Sequence, residues 1–350
     1  MGVQLEREAA EEPSPPPSRL ARDLGRFYAV GVKIRADRLV GVLVDVHGDF
    51  VANADGRREH KGVEHALEAT DVDIVVHGVT DLVADLLALH PDLEPPVGLG
   101  IELSGQVDGR NGVVRRSHRM GWHQPVPLAG LLQRATGLTT MVEHDVKALA
   151  LAEQMFGLGQ GRRSFAVVTA GYGVGAGLVI DHNLWRGRSG TAGELGHMVV
   201  EPDGRLCLCG NRGCLETVAG SGGILPAIRE EGRPDVPDID AASRLAQQGD
   251  EVARRAFEEA GEILGRGLSW LVNLLDLDLV LVHAQDALLA SGVYEPAARR
   301  SFEEHGFYHA ARECELSFRK RDDALGARSA GSMVFRLLPE RLAELRDTGG

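Results

Sequence analysis

The chain of 350 residues has only 4 Cys, 3 Trp and 4 Tyr, and aromatic residues make up 5% of it. So few cysteines in a chain of this length make a poor disulfide framework. It lacks any apolar run of the ~18–20 residues that a membrane helix needs. Residues 1–26, MGVQLEREAAEEPSPPPSRLARDLGR, contain no apolar segment of the kind a secretory signal requires. A cytoplasmic location without membrane contact is therefore expected. Positive charge is also short, with 38 Lys and Arg against 51 Asp and Glu and a formal net charge of −13. That balance excludes a broad nucleic-acid surface, which needs clustered Lys and Arg. The hydrophobic share of 43% and charged share of 25% are those of a globular chain and exclude disorder for most of it.

Glycine, in contrast, is abundant, with 44 residues, or about one in eight, against an average near ~7%. The cysteines are also unevenly placed: Cys207, Cys209 and Cys214 lie close together and only Cys314 is distant.

Residues 1–26, rich in Pro, Glu and Arg, read as a mobile tail. Order is expected from Phe27 onward. Segments 28–34, 39–46 and 49–54 read as three short strands joined by tight turns. Helices are expected over 72–89, 128–135 and 146–156, with strands at 96–103 and 140–143. The pattern then restarts with strands at 164–170 and 176–181 around a Gly-rich turn, a Cys-rich excursion, a long helix at 252–275, a strand at 277–284 and helix over most of 324–345. Two units that each open with a meander and continue with alternating strand and helix imply two stacked α/β lobes. Ligands bind in clefts between such lobes.

The run from Gly193 to Gly220 is GELGHMVVEPDGRLCLCGNRGCLETVAG. His197, Cys207, Cys209 and Cys214 supply one imidazole and three thiolates, the composition of a closed structural zinc site. Thiolates favour zinc over magnesium or calcium, which take oxygen ligands. Gly210 and Gly213 allow sharp turns between the ligands. The alternative is three reduced thiols beside an unrelated histidine, which would crowd exposed free thiols to an unusual degree.

GELGHM followed by C-x-C-G-x-x-G-C-x-E resembles the ROK family of repressors and sugar kinases, and the resemblance runs over residues 28–346. It implies a two-lobed actin-like, hexokinase-like (ribonuclease H-like) α/β fold with an inter-lobe cleft and a structural zinc loop at 197–214. The implied lobes are 27–144, rejoined by a C-terminal helix at about 330–346, and 145–329. The resemblance carries sugar contacts onto Gly105, His144, Asp145, Glu194, His197 and Glu216. Carboxylates and an imidazole suit a ligand whose hydroxyls both donate and accept. His197 would use one ring nitrogen for the metal and the other for the sugar. Asp145 matches the kinases' general base and would also serve as a helix N-cap. His144 stands where the kinases usually have Asn, as in glucose-responsive repressors.

The phosphate side departs from the kinase pattern. Lys33-Ile34-Arg35-Ala36-Asp37 stands where the kinases have Asp-x-Gly-Gly-Thr, so a cation replaces the metal-binding carboxylate. Gly171, Gly173 and Gly175 keep the glycines of the second loop, but Tyr172 replaces its hydroxyl donor. A tight hairpin explains these glycines at least as well as an ATP loop. His283-Ala284-Gln285 replaces the Gly-Gly pair that packs on adenosine. The expectation is a sugar-sensing core, akin to the N-acetylglucosamine, xylose and glucose repressors, that holds zinc but neither ATP nor Mg²⁺. An ATP-dependent sugar kinase of the glucokinase or N-acetylmannosamine kinase type, with Asp145 as base, is the alternative. Residues 1–26 show no helix-turn-helix pattern, so DNA contact is not expected from these residues. The family points to a homodimer or homotetramer.

Overall fold

The computed structural model describes residues 27–51, 62–321 and 323–339. Strands Tyr28–Ile34 (β1) and Arg38–Asp45 (β2) form an antiparallel hairpin, and Val63–Ala66 (β3) pairs with the outer edge of β2. Helix Val72–Ala88 (α1) buries Val75, Val79, Leu82, Val83 and Leu86, one apolar stripe at the 3.6-residue period. Strand Leu99–Leu103 (β4) runs parallel to β1. A small hairpin of Gln106–Asp108 (β5) and Val113–Arg116 (β6) stands outside the main sheet. Helix Leu128–Thr136 (α2) leads to strand Thr140–His144 (β7), parallel to β4. The first sheet has the order β3-β2-β1-β4-β7.

Helix Asp145–Phe156 (α3) follows β7 without a break. The second unit repeats the opening hairpin with Phe165–Ala170 (β8) and Val174–Ile180 (β9), edged by Asn183–Leu184 (β10). The cysteine segment comes next and ends at helix Glu216–Ala219 (α4). Helices Ser221–Glu230 (α5), Ile239–Gln247 (α6) and Glu251–Leu275 (α7) lead to strand Leu279–Ala284 (β11). Helices Asp286–Ala290 (α8), Tyr294–His305 (α9) and Ala310–Glu313 (α10) precede strand Glu315–Lys320 (β12). The second sheet has the order β10-β9-β8-β11-β12. Helix Asp323–Val334 (α11) and a 3₁₀ turn, Phe335–Leu337, are the last elements among the described residues.

The chain thus passes from the first sheet to the second at His144–Asp145. It returns between Lys320 and Asp323. On the inner face of the second sheet, Val146, Leu149 and Leu151 of α3 pack on Phe165, Val167 and Leu281. Helix α11 lies directly on β1 and β4. A Cβ on Gly31 would sit 2.0 Å from the Ala327 carbonyl oxygen, and one on Gly100 would sit 1.8 Å from that of Ala330. Part of the glycine excess therefore lets helix and strand backbones touch.

Several expectations need correction. The last helix, expected over most of 324–345, starts at Asp323 and ends at Val334, and residues 340–346 lie outside the described residues, as does the expected tail 1–26. In the expected third strand, Phe50 makes an isolated bridge with Val44, and residues 52–54 lie outside the described residues. Strands β3, β5, β6 and β12 and helices α5, α6 and α9 had no counterpart in the sequence reading.

Candidate functional site

Asp145 opens α3 at the carboxyl end of β7, on the crossing between the sheets. Its Oδ1 accepts the Val146 N–H at 2.7 Å, and its Oδ2 accepts Arg321 Nη2 at 2.9 Å. His144 Nδ1 lies 3.2 Å from Oδ1. The cap position falls on His144, which makes no side-chain cap bond, so Asp145 is not the N-cap. Burial opposes its ionisation, but the charges of His144, Arg321 and Lys33 outweigh burial and hold the carboxyl well below the usual range. Arg321 lies on the return crossing, so this ion pair ties the two crossings together.

Lys33 of β1 is buried and donates to Glu102 Oε1 of β4 at 3.0 Å. Its ammonium is also 3.7 Å from Asp323 Oδ1. Burial pushes the Glu102 carboxyl up, despite the opposing pull of Lys33. Asp323 also accepts Arg38 Nη2 at 2.6 Å and Arg35 Nη1 at 3.1 Å. The basic residues of the first turn are thus held by carboxylates of β4 and α11. Arg321 had no signal in the sequence, because its partner lies 176 positions away.

The 171–175 turn closes the β8–β9 hairpin, with the Gly171 N–H bonded to the Gly173 carbonyl at 2.9 Å. None of the three glycines takes a left-handed backbone. A Cβ on Gly173 would lie 2.5 Å from Glu216 Oε2, so this glycine makes room for that carboxylate. The exposed Tyr172 ring carries the Arg119 guanidinium at 4.6 Å from its centroid. Arg119 follows β6 in the first unit, so this cation–π pair spans the two units.

The GELGH segment ends in a 3₁₀ turn, Leu195–His197. His197 Nδ1 lies 3.5 Å from Cys207 Sγ and 3.5 Å from Glu216 Oε1. Its Nε2 points the other way, 3.8 Å from Glu194 Oε2. Cys207 Sγ donates to Glu216 Oε1 at 3.0 Å, and Cys209 and Cys214 bring their sulfurs to 3.6 Å. The ligand atoms of His197, Cys207, Cys209 and Cys214 all lie within 4.8 Å of one another. A tetrahedral ion with ~2.3 Å metal–sulfur bonds needs ligand atoms ~3.7 Å apart, so the donor set fits. Gly210 and Gly213 take φ of 96° and 66°. At Gly213 a Cβ would also collide with the Glu201 carbonyl. Cys314 lies apart and is buried, and burial pushes its thiol up to about 12.

The expected sugar contacts form a connected arc. Asp145 joins Arg321, which reaches the space beside Gly171. Gly173 abuts Glu216, and Glu216 and Glu194 flank the His197 ring. Gly105 follows β4, whose last residue, Leu103, pairs with His144. It takes φ of 144°, and its missing Cβ leaves room for the Arg116 carbonyl.

Residues 31–336 match the model of the ROK family. Over 246 residues the chain is 31% identical to a glucokinase of Thermotoga maritima, covering 66% of this chain and 76% of the relative. Over 203 residues it is 34% identical to the DNA-binding transcriptional repressor Mlc of Escherichia coli K12, covering 54% of this chain and 49% of the repressor. The matched part of the chain therefore spans about half of that repressor. The ROK hexokinase of Thermus thermophilus superposes with a TM-score of 0.74 at 26% identity, over 90% of this chain and 100% of that one. The fold is that of these sugar kinases, actin-like and hexokinase-like.

Proposed function

Because the chain belongs to the ROK family, we propose that it is the sugar-sensing core of a regulator, binding a hexose or amino sugar without phosphorylating it. The observation that carries this reading is the state of Asp145. A general base must accept a proton, and its efficiency depends on a pKa near the working pH. Asp145 is instead held by Arg321, with Lys33 close by in a buried ion pair with Glu102. Phosphoryl transfer also needs a metal-bound, backbone-cradled phosphate. On the phosphate side this chain offers cations already neutralised by its own carboxylates. Gly173 is accounted for by Glu216 rather than by ATP.

In this reading Gly105, His144, Asp145, Glu194, His197 and Glu216 contact the sugar. His197, Cys207, Cys209 and Cys214 hold one structural zinc, which would fix the loop carrying His197 and Glu216. The lobes divide at Asp145, with α11 belonging to the first. Repressor relatives favour a cytoplasmic homo-oligomer, with DNA contact made outside these residues. The second reading, a sugar kinase with Asp145 as base and Gly171, Gly173 and Gly175 on ATP, is favoured by the glucokinase relative.

Thermal melting against a panel of hexoses, pentoses and amino sugars, with and without Mg-ATP, separates these readings. At 100 times its Kd, a ligand adds ~2.7 kcal/mol of stability. One sugar is expected to raise Tm, with no further effect of Mg-ATP. A flat panel would remove the sensor. A rise that needs Mg-ATP would favour the kinase.

A further inference from the structure

A second pocket, of about 410 Å³, lies beside the two crossing helices, α3 and α11, and the ends of β11 and β12. That volume falls in the ~300–1,000 Å³ range of small-molecule sites. It is distinct from the sugar arc. Its Glu153 lies eight residues after Asp145, about 12 Å further along α3 at 1.5 Å per residue.

The polar groups here are partly unsatisfied. His283 is 2% exposed, and its Nε2 lies 3.1 Å from Glu153 Oε1. The other carboxylate oxygen, Oε2, accepts the Leu158 N–H at 3.0 Å. His283 Nδ1 and Ser332 Oγ, on two residues lining the same pocket, are buried and have no hydrogen-bond partner among the described residues. Buried polar groups are rarely left this way, and each such orphan calls for a partner. With Nε2–H donated to Glu153, Nδ1 offers a lone pair to a hydroxyl donor. Ser332 can donate or accept.

The rim is cationic. Arg319 pairs in register with His283 across β11 and β12, so in this parallel ladder the two side chains share one face of the sheet. Among the described residues Arg319 forms no ion pair, although its charge reaches Glu153. Arg328 lines the same pocket, donates its Nε–H to the Gly48 carbonyl and lays its guanidinium over the Phe50 ring, 5.9 Å from the centroid, while its terminal nitrogens make no hydrogen bond among the described residues.

We propose that this pocket is a binding site for a small hydroxylated organic anion, a phosphorylated or carboxylated polyol. Its acidic group would sit against Arg319 and Arg328, and its hydroxyls would reach His283 Nδ1 and Ser332 Oγ. A guanidinium–anion hydrogen bond is the strong kind, while the hydroxyl contacts select a polyol over a bare ion.

The test uses calorimetric titration of the full chain with glycerol 3-phosphate, D-glycerate, inorganic phosphate and glycerol. The proteins compared are the unmodified chain, Arg319→Glu and Arg254→Glu, a remote surface charge reversal. The expectation is saturable binding of glycerol 3-phosphate or D-glycerate, tighter than phosphate or glycerol alone. Arg319→Glu weakens it at least about tenfold, as loss of one charge-assisted contact requires, while Arg254→Glu leaves it unchanged. Arg319 is on an exposed strand edge, so far-UV dichroism and the sugar-induced Tm shift serve as folding controls. Absence of saturation by all four probes up to about 10 mM, weaker than the millimolar end of specific affinity, would overturn the proposal. So would equal affinity in Arg319→Glu, or phosphate alone binding as tightly as glycerol 3-phosphate.

Discussion

At the scale of single residues, the phosphate side of the molecule is governed by buried charge. Lys33 and Glu102 are both nearly inaccessible and pair through Glu102 Oε1, while Glu102 Oε2 is buried with no hydrogen-bond partner among the described residues. Removing one member of such a pair leaves the other buried without a partner, which costs ~3–5 kcal/mol, whereas an apolar pair of similar volume is often neutral. Lys33→Met should therefore lower stability by ~3–5 kcal/mol in urea unfolding, and Lys33→Met/Glu102→Leu should recover most of the loss. Equal losses in the single and double variants would show that the pair is not the source. Gly173 makes the opposite kind of case. An added methyl would meet the end of a flexible side chain, Glu216, not backbone. Gly173→Ala is expected to change stability by less than ~1 kcal/mol, yet to weaken sugar binding at least about tenfold by displacing that carboxylate. Unchanged sugar affinity would remove Glu216 from the site.

At the scale of elements, the sequence disclosed what depends on local pattern. Strand β4 was legible because it lies in a mostly apolar stretch, and all five of its residues are buried. The cysteine loop was legible because its chemistry lies within one short stretch. Helix α9 was not, since its buried face is made of Tyr294, Ala297, Ala298, Ser301 and Phe302, too small and polar to mark a stripe. It packs where Gly265 of α7 leaves no room for a Cβ, 2.2 Å from the Ala298 carbonyl oxygen. Small residues let helices approach closely, and hydrophobicity cannot report that. Strand β12, ELSFRK, is a half-exposed edge with charged ends. It carries the chain to Arg321, so missing the strand meant missing the clamp on Asp145. The metal loop allows a direct check. Cys209 is exposed, so Cys209→Ser should fold. Elemental analysis is expected to give close to one zinc for the unmodified chain and a large loss in the variant, since a structural site needs its fourth ligand. Melting of the variant should also lose most of its sugar response.

At the scale of the whole molecule, three partly or fully buried carboxylates held in the ionised form set a pH dependence. For Asp145, Asp323 and Glu153, burial alone would raise the carboxyl. His144 and Arg321 for Asp145, Lys33 and Arg35 for Asp323, and His283 for Glu153 outweigh it and lower all three. A carboxyl with a lowered folded pKa stabilises the fold above its unfolded value near ~4, and that stability is lost as pH falls below it. Glu102, pushed up by burial, works in the opposite sense and softens the loss. Urea midpoints should be nearly flat from about pH 8 to 5 and fall below about pH 4. The fall should be shallower in Asp145→Asn, and an identical slope would mean Asp145 is not held as described. The glucokinase and repressor relatives leave two roles open for one fold, and the chemistry at Asp145 divides them. The most direct measurement is transfer of the terminal phosphate of labelled Mg-ATP to whichever sugar raises Tm, with the protein saturated by that sugar. The account predicts bound sugar and no labelled sugar phosphate above the protein-free background. Steady sugar-dependent turnover that disappears in Asp145→Asn would contradict it.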